Sequence, residues 1–194
     1  MIRRARAGDF EAMGRIHRDA YPVDHLSGRL GLGALRDLNR ELCGGEAVCL
    51  VCEGEEGRIE GFVIADLAEN LRGANRRFML GHAWEVAWLF VRNPRALAQK
   101  LGSLWGRVGR GRRVVGSRAS MRVVSIAVSP GAQGRSVGRR LLVALEKELR
   151  ERAVEWYGLS VKETNRRAVQ FYQRYGFAEE GRGDGGVYFI KRVR

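Results

Sequence analysis

Cysteine, lysine and long apolar runs are all scarce in this sequence, and each shortage excludes something. Three cysteines in 194 residues are too few and odd in number for a disulfide scaffold. Cys49 and Cys52 have the Cys-x-x-Cys spacing, but no second pair and no nearby histidine completes a zinc site, so no metal is expected. On a strand, positions three apart face opposite ways, and Cys43, Cys49 and Cys52 are read as ordinary buried thiols. No run approaches the roughly 18 apolar residues of a spanning helix. The longest, residues 83–91, is interrupted by Glu85. The basic start Met1-Ile2-Arg3-Arg4-Ala5-Arg6 is followed by no apolar stretch of signal-peptide length. With reduced thiols, these absences place the expected location in the cytoplasm.

A chain of this length is expected to fold as one domain over residues 1–194, burying roughly 70% of its unfolded surface without a staple. A hydrophobic content of 45% beside 29% charged residues is that of a globular protein, not of a disordered tail or a fibre. The net charge is +13, and acid is nearly missing from one stretch. Residues 71–122 hold twelve basic residues and a single acid, Glu85, which leaves the rest of the chain almost neutral. Only four of the 35 cations are lysines.

Periodicity gives a coarse order of elements. Asp9 is placed to cap a helix with Phe10, Met13, Ile16 and Ala20 on one face, ended by Pro22. Leu32, Leu35, Leu38 and Leu42 mark a second helix, stopped by Gly44 and Gly45. Residues 47–52 and 59–65 read as a hairpin across a polar turn. Further on, residues 78–91 are apolar enough for a helix. Asn93 and Pro94 open another, with Leu97, Leu101, Leu104 and Val108 on one face. Residues 123–128 form a buried-strand run, 129–137 a glycine-containing loop, and 138–150 a helix with Leu141, Leu142, Leu145 and Leu149 inward. A short strand at 158–162, a helix capped by Thr164 or Asn165 and stopped by Gly176, and a hairpin from Phe177 complete the chain.

A strand, a glycine-containing loop and a helix start in that order favour an anion, because free N–H groups and the helix dipole converge there. The loop Gln133-Gly134-Arg135-Ser136-Val137-Gly138 is neither the dinucleotide fingerprint nor a P-loop. Some thirty residues on, Asn165, Ala168, the Phe171-Tyr172 pair and the Gly176-Phe177 pair follow a second strand and open a second helix. Together these two segments resemble the central motifs of the GCN5-related N-acetyltransferases, the GNAT family, over residues 122–178. Ser136 departs from the pattern, standing where the family's first motif usually carries glycine.

That resemblance implies an α/β fold with a mixed, mainly antiparallel sheet flanked by helices and split at acetyl-CoA. By its pattern, the backbone of Ile126, Ala127 and Val128 would pair with the pantetheine arm. N–H groups from Gln133, Gly134, Arg135, Ser136, Val137, Gly138 and Arg139 would hold the pyrophosphate, with the Arg135 and Arg139 side chains as counter-ions. Asn165 would bond the cofactor's amide region, and Tyr172 would protonate the departing thiolate. Bare helical spacing also allows Tyr172 to be a core aromatic, as Phe171 and Tyr175 are read. Transfer to an amine needs a general base. Asp66 and Glu69, just past the hairpin, are the first candidates, followed by Glu85 and His82; each can also be read as a solvated loop charge. His17 and His25 are read as helix-surface or loop residues.

In that family a short link joins the two central strands, whereas about fifty residues intervene here. Residues 67–121 are therefore expected to form a basic helical insertion between strands three and four. Its apolar stripe, with Trp84, Trp88, Phe90 and Trp105, suits packing on the domain or on a second copy of the chain as a homodimer. Its charge suits an anionic acceptor such as a nucleotide-linked amino sugar, an anionic membrane surface, or nucleic acid. The expected activity is acetyl transfer to a primary amine, with an amino sugar first and a ribosomal-protein or other N-terminal amine second. A non-enzymatic nucleic-acid-binding module is the alternative of another class.

Overall fold

The computed structural model describes residues 1–20, 30–67, 69–82, 117–183 and 185–193. Seven strands make one sheet: β1 (Ile2–Arg4), β2 (Val48–Glu53), β3 (Ile59–Leu67), β4 (Met121–Val128), β5 (Trp156–Lys162), β6 (Ala178–Gly183) and β7 (Gly186–Arg192). Their order is β1-β2-β3-β4-β5-β7-β6. Every pairing is antiparallel except β4 with β5. Among the described residues five helices flank the sheet: α1 (Phe10–Ala20), α2 (Leu32–Leu42), α3 (Asn70–Gly81), α4 (Val137–Glu151) and α5 (Arg166–Tyr175).

Strands covered on both faces read as unbroken apolar runs, and β2 and β3 do so here. On one face α4 presents Leu141, Leu142, Leu145 and Leu149, all fully buried, against Val63, Ala65, Val123 and Leu159. On the other, Met13 and Ile16 of α1 and Leu42 of α2 pack on Val51, Phe62 and Ile64. Burial of one such leucine is worth about 1.5–3 kcal/mol, so the two layers, not local propensity, hold the helices on the sheet.

Several readings are corrected. Asp9 does not cap α1; it closes a short 3-10 turn ahead of it, and its carboxylate accepts from the Arg6 N–H at 2.7 Å and from both terminal nitrogens of Arg3. Cys43, at the C-terminal end of α2, is joined to Cys49 of β2 by a disulfide with Cα atoms 5.5 Å apart, so the reading of three thiols fails for these two. The five-residue link through Gly44 and Gly45 is what brings them together. Cys52 stays free and buried, on the opposite face from Cys49 as the strand period requires. His17 lies in the core rather than on the helix surface, its ring 6.2 Å from that of Phe62.

Of the helix read over 78–91, residues 83–91 lie outside the described residues; residues 78–81 belong to α3, which begins at Asn70 and ends at Gly81. The Asn93-Pro94 cap, the apolar stripe from Trp84 to Trp105, Glu85 and His25 lie outside the described residues. No helix among the described residues is long and apolar enough to cross a membrane.

Candidate active site

The sheet opens between β4 and β5, its parallel pair among the described residues. Met121, Arg122 and Val123 of β4 pair with Tyr157, Gly158 and Leu159 of β5, and there the pairing stops, although both strands run on. On its other edge β4 keeps β3 as far as Val128, but with a bulge: Ala65 pairs with Val123 and Ile64 with Ser125, so Val124 is the extra residue. Packing shows the same break. Met121 and Val123 face the α4 layer, Val124 and Ala127 the α1 layer, and Ile126 and Val128 the α4 layer again. Apolar residues on both sides of Ser125, from 123 to 128, conceal this switch, and sequence reasoning missed it. The bulge sits where β4 leaves β5, and beyond it one edge of Ile126, Ala127 and Val128 has no strand partner among the described residues.

Past β4 the chain turns through Pro130–Ala132 into α4. Gly134 takes φ 83° and Ser136, the N-cap of α4, takes φ 59° and ψ 16°. The glycine usual at position 136 in the resembling pattern thus has a conformational cause: the turn is left-handed there. The N–H groups of Val137, Gly138 and Arg139 find no backbone acceptor among the described residues, as expected for a first helical turn. They converge at the mouth of the opening, with the helix dipole behind them. A Cβ on Gly138 would meet Phe171 of α5 at 3.5 Å, an ordinary contact, so α4 and α5 come close at this end.

Across the opening, Asn165 caps α5 by accepting the Ala168 N–H at 3.1 Å; of the two residues read as caps, it is the one used. Gly176, at φ 96°, ends the helix as expected. Tyr172 is buried, with its ring edge-on to Phe171 and Phe177 at 5.2 and 5.5 Å. Beneath it Glu146 of α4 accepts from the Tyr157 hydroxyl at 2.6 Å and pairs with Lys191, whose ammonium lies over the Tyr175 ring. Burial, and then the Glu146 carboxylate, push the Tyr157 and Tyr175 hydroxyls well above the usual tyrosine range, so both stay protonated.

Asp66 and Glu69 separate in character. Asp66 is 4% exposed near the end of β3, and its Oδ1 accepts from the Leu67 N–H at 2.7 Å and from Asn70 Nδ2 at 3.0 Å. By strand alternation it points to the α1 layer with Phe62 and Ile64. Glu69 is exposed at the start of α3 and makes no side-chain cap. His82 ends α3, stacked on Phe78 at 4.8 Å and 3.6 Å from Asp37 of α2. Arg135 donates to Glu60 at 2.9 Å and Arg167 to Gln133 at 3.0 Å. Neither Glu60 nor Arg167 was legible as a site residue, because both depend on how the strand ends meet.

A mixed sheet that parts between two parallel strands, with a helix start and a capping asparagine at the gap, defines the acyl-CoA N-acyltransferase class of fold. The chain belongs to the acetyltransferase (GNAT) family, whose model matches residues 10–177. It is therefore an acyltransferase of the N-acetyltransferase type, and the family's acyl donor is acetyl-CoA. The structure is similar to that of SsHAT, at 20% identity and TM-score 0.71, covering 100% of this chain and 98% of that one. It also resembles the ribosomal-protein-S18-alanine N-acetyltransferase of Escherichia coli, with 17% identity, TM-score 0.58 and coverage of 100% and 93%. A third likeness is the PaiA N-acetyltransferase of Thermoplasma acidophilum, solved with coenzyme A, with 13% identity, TM-score 0.58 and coverage of 99% and 98%. Among curated protein sequences none matches the chain.

Proposed function

We propose that the protein transfers acetyl from acetyl-CoA directly to a primary amine. The observation that carries this reading is the three-residue limit of the β4–β5 pairing, which leaves a slot beside unpaired backbone of β4 and leads to the free N–H groups of α4. Ile126, Ala127 and Val128 would line the pantetheine arm. Gln133, Gly134, Ser136, Val137, Gly138 and Arg139 would cradle the pyrophosphate, and Asn165 would face the cofactor's amide region from across the slot. Acetyl-CoA supplies an activated acyl group; the protein's part is to position it, remove a proton from the amine and return one to the thiolate.

Asp66 is the better of the two expected bases. It is a buried carboxylate close to the bulge, two residues from Ile64 along β3, whereas Glu69 is solvated. Tyr172 is the proposed acid; it belongs to α5, the helix that Asn165 caps. A Tyr172→Phe variant should bind acetyl-CoA as tightly as the wild type and lose about 10²-fold or more in kcat. An undiminished kcat removes the role.

For the acceptor, an amino sugar or nucleotide-linked amino sugar is placed first and a protein N-terminal amine second. The cytoplasm, where coenzyme A thioesters are made, is the proposed location, although the Cys43–Cys49 disulfide removes reduced thiols as a ground for it. Acetyl-CoA at about 100 times its Kd should add about 2.7 kcal/mol of stability by mass action. Release of free thiol across amino sugars, nucleotide sugars, polyamines and peptides would then identify the acceptor. No thermal shift with acetyl-CoA, alongside a salt-sensitive shift with DNA or RNA, would return the protein to the nucleic-acid-binding reading.

A further inference from the structure

Two arginines flank the loop between β4 and α4, and the structure gives them different partners. Arg135, expected as a phosphate counter-ion, points toward β3 and pairs with Glu60 at 2.9 Å. Both line a groove with Ser129, Gly131 and Ala132, on the side of the loop away from β5. Glu60 is held firmly in this position. Its side chain is 15% exposed and lies across Gly54, where a Cβ would stand 2.5 Å from the Glu60 carboxyl. Its backbone oxygen accepts from Ser129 at 2.8 Å. If Arg135 left, a largely covered carboxylate would lose its partner, which is costly.

Arg167 is differently placed. It lies five residues past the end of β5, Gln133 lies five past the end of β4, and their side chains meet at 3.0 Å. The two strands diverge after Val123 and Leu159, so this bond spans the mouth of the slot between them. Both residues are exposed and Gln133 is neutral. Release of Arg167 leaves only a solvated amide, which water satisfies at little cost.

We infer that Arg167 is a phosphate-binding arm of the acyl-donor site, held across the mouth by Gln133, and that Glu60 withholds Arg135 from the same task. A phosphate seated at the α4 start offers Arg167 a charge-assisted bond in place of a neutral one. The exchange draws α5, and with it Tyr172, toward the loaded slot. This rests on the reading of the slot as the coenzyme A site.

The test is calorimetric binding of coenzyme A, with no turnover involved. Arg167→Met should weaken binding about tenfold and flatten its salt dependence. Adding Glu60→Gln to that variant frees Arg135 and should restore several-fold of the loss. Repetition with dephospho-coenzyme A separates the two phosphate sources: a penalty that persists assigns Arg167 to the pyrophosphate, and one that vanishes assigns it to the 3′-phosphate. If the wild type binds coenzyme A and Arg167→Met binds it equally well, the inference is wrong while the site stands. A wild type that binds no coenzyme A overturns the site and the inference together.

Discussion

At Ser136 a side chain occupies a left-handed backbone position, φ 59°, at the N-cap of α4. A non-glycine residue there costs roughly 1–2 kcal/mol, while glycine would lose about 0.5–1 kcal/mol more chain entropy on folding. The first term is the larger, so Ser136→Gly should stabilise the protein by about 0.5 kcal/mol, read as a higher urea midpoint with unchanged slope. A lower midpoint would mean that the serine hydroxyl holds the turn. Asp9 shows a charge at the same scale. Arg3 bonds its carboxylate at 2.7 and 2.9 Å and holds its pKa below the ordinary 3.8, although burial opposes this. A carboxyl depressed in the folded state contributes fully above the unfolded value and loses that contribution as pH falls through the folded one. Asp9→Asn should therefore cost about 2 kcal/mol near neutrality. The gap between variant and wild type should narrow once the pH drops below about 4, which urea unfolding at stepped pH would follow.

Between elements, the buried pair Glu146 and Lys191 ties α4 to β7, and Tyr157 brings β5 to the same carboxylate. Tyr172 packs against the same elements, its ring 6.1 Å from that of Phe189 on β7. Removing one member strands the other: Lys191→Met should cost about 3 kcal/mol, and Glu146→Gln added to it should recover much of that. Simple additivity in a double-mutant cycle would show that the pair is not coupled. Nothing in the sequence marks Glu146, because a glutamate among four leucines on a helix reads as an exposed position; only the neighbouring strands reveal its partners. The leucines themselves were legible, since a period of 3.6 needs no knowledge of what covers it, and so were the hairpins and the caps Asn165 and Gly176. The opening of the sheet was legible only through the resemblance, because strand pairing is long-range and β4 looks alike on both sides of its bulge. The Cys43–Cys49 link was missed for the same reason: its partners lie on different elements and carry no spacing signal.

For the whole molecule, the charge is unevenly divided. Twelve of the cations fall between residues 71 and 122 against one acid. The described ones near either end are spent on the domain: Arg77 bonds Glu41 of α2 at 2.8 Å, Arg118 lies over Trp156, and Arg122 bonds Ser117 and faces Glu180. Such contacts fix where the insertion leaves and rejoins the sheet, next to β3 and β4 and therefore next to the slot. Residues 92–113 carry seven more cations and no acid. A stretch of sequence this rich in one sign of charge favours an anionic partner, through long-range attraction that salt screens over about 10 Å at 0.1 M. On the proposed reading the acyl donor has its own anion site at the start of α4, so the charge of residues 71–122 bears on the acceptor or on a surface. Replacing Arg110, Arg112 and Arg113 with glutamine should raise the acceptor KM, or abolish retention on anionic vesicles or duplex DNA, and remove the salt dependence of that step. Coenzyme A affinity, measured by calorimetry on the same variant, should stay within about twofold, since the proposed donor site draws its anion binding from the start of α4. A collapse of coenzyme A binding would instead bring these arginines over the phosphate loop and make the insertion part of the donor site.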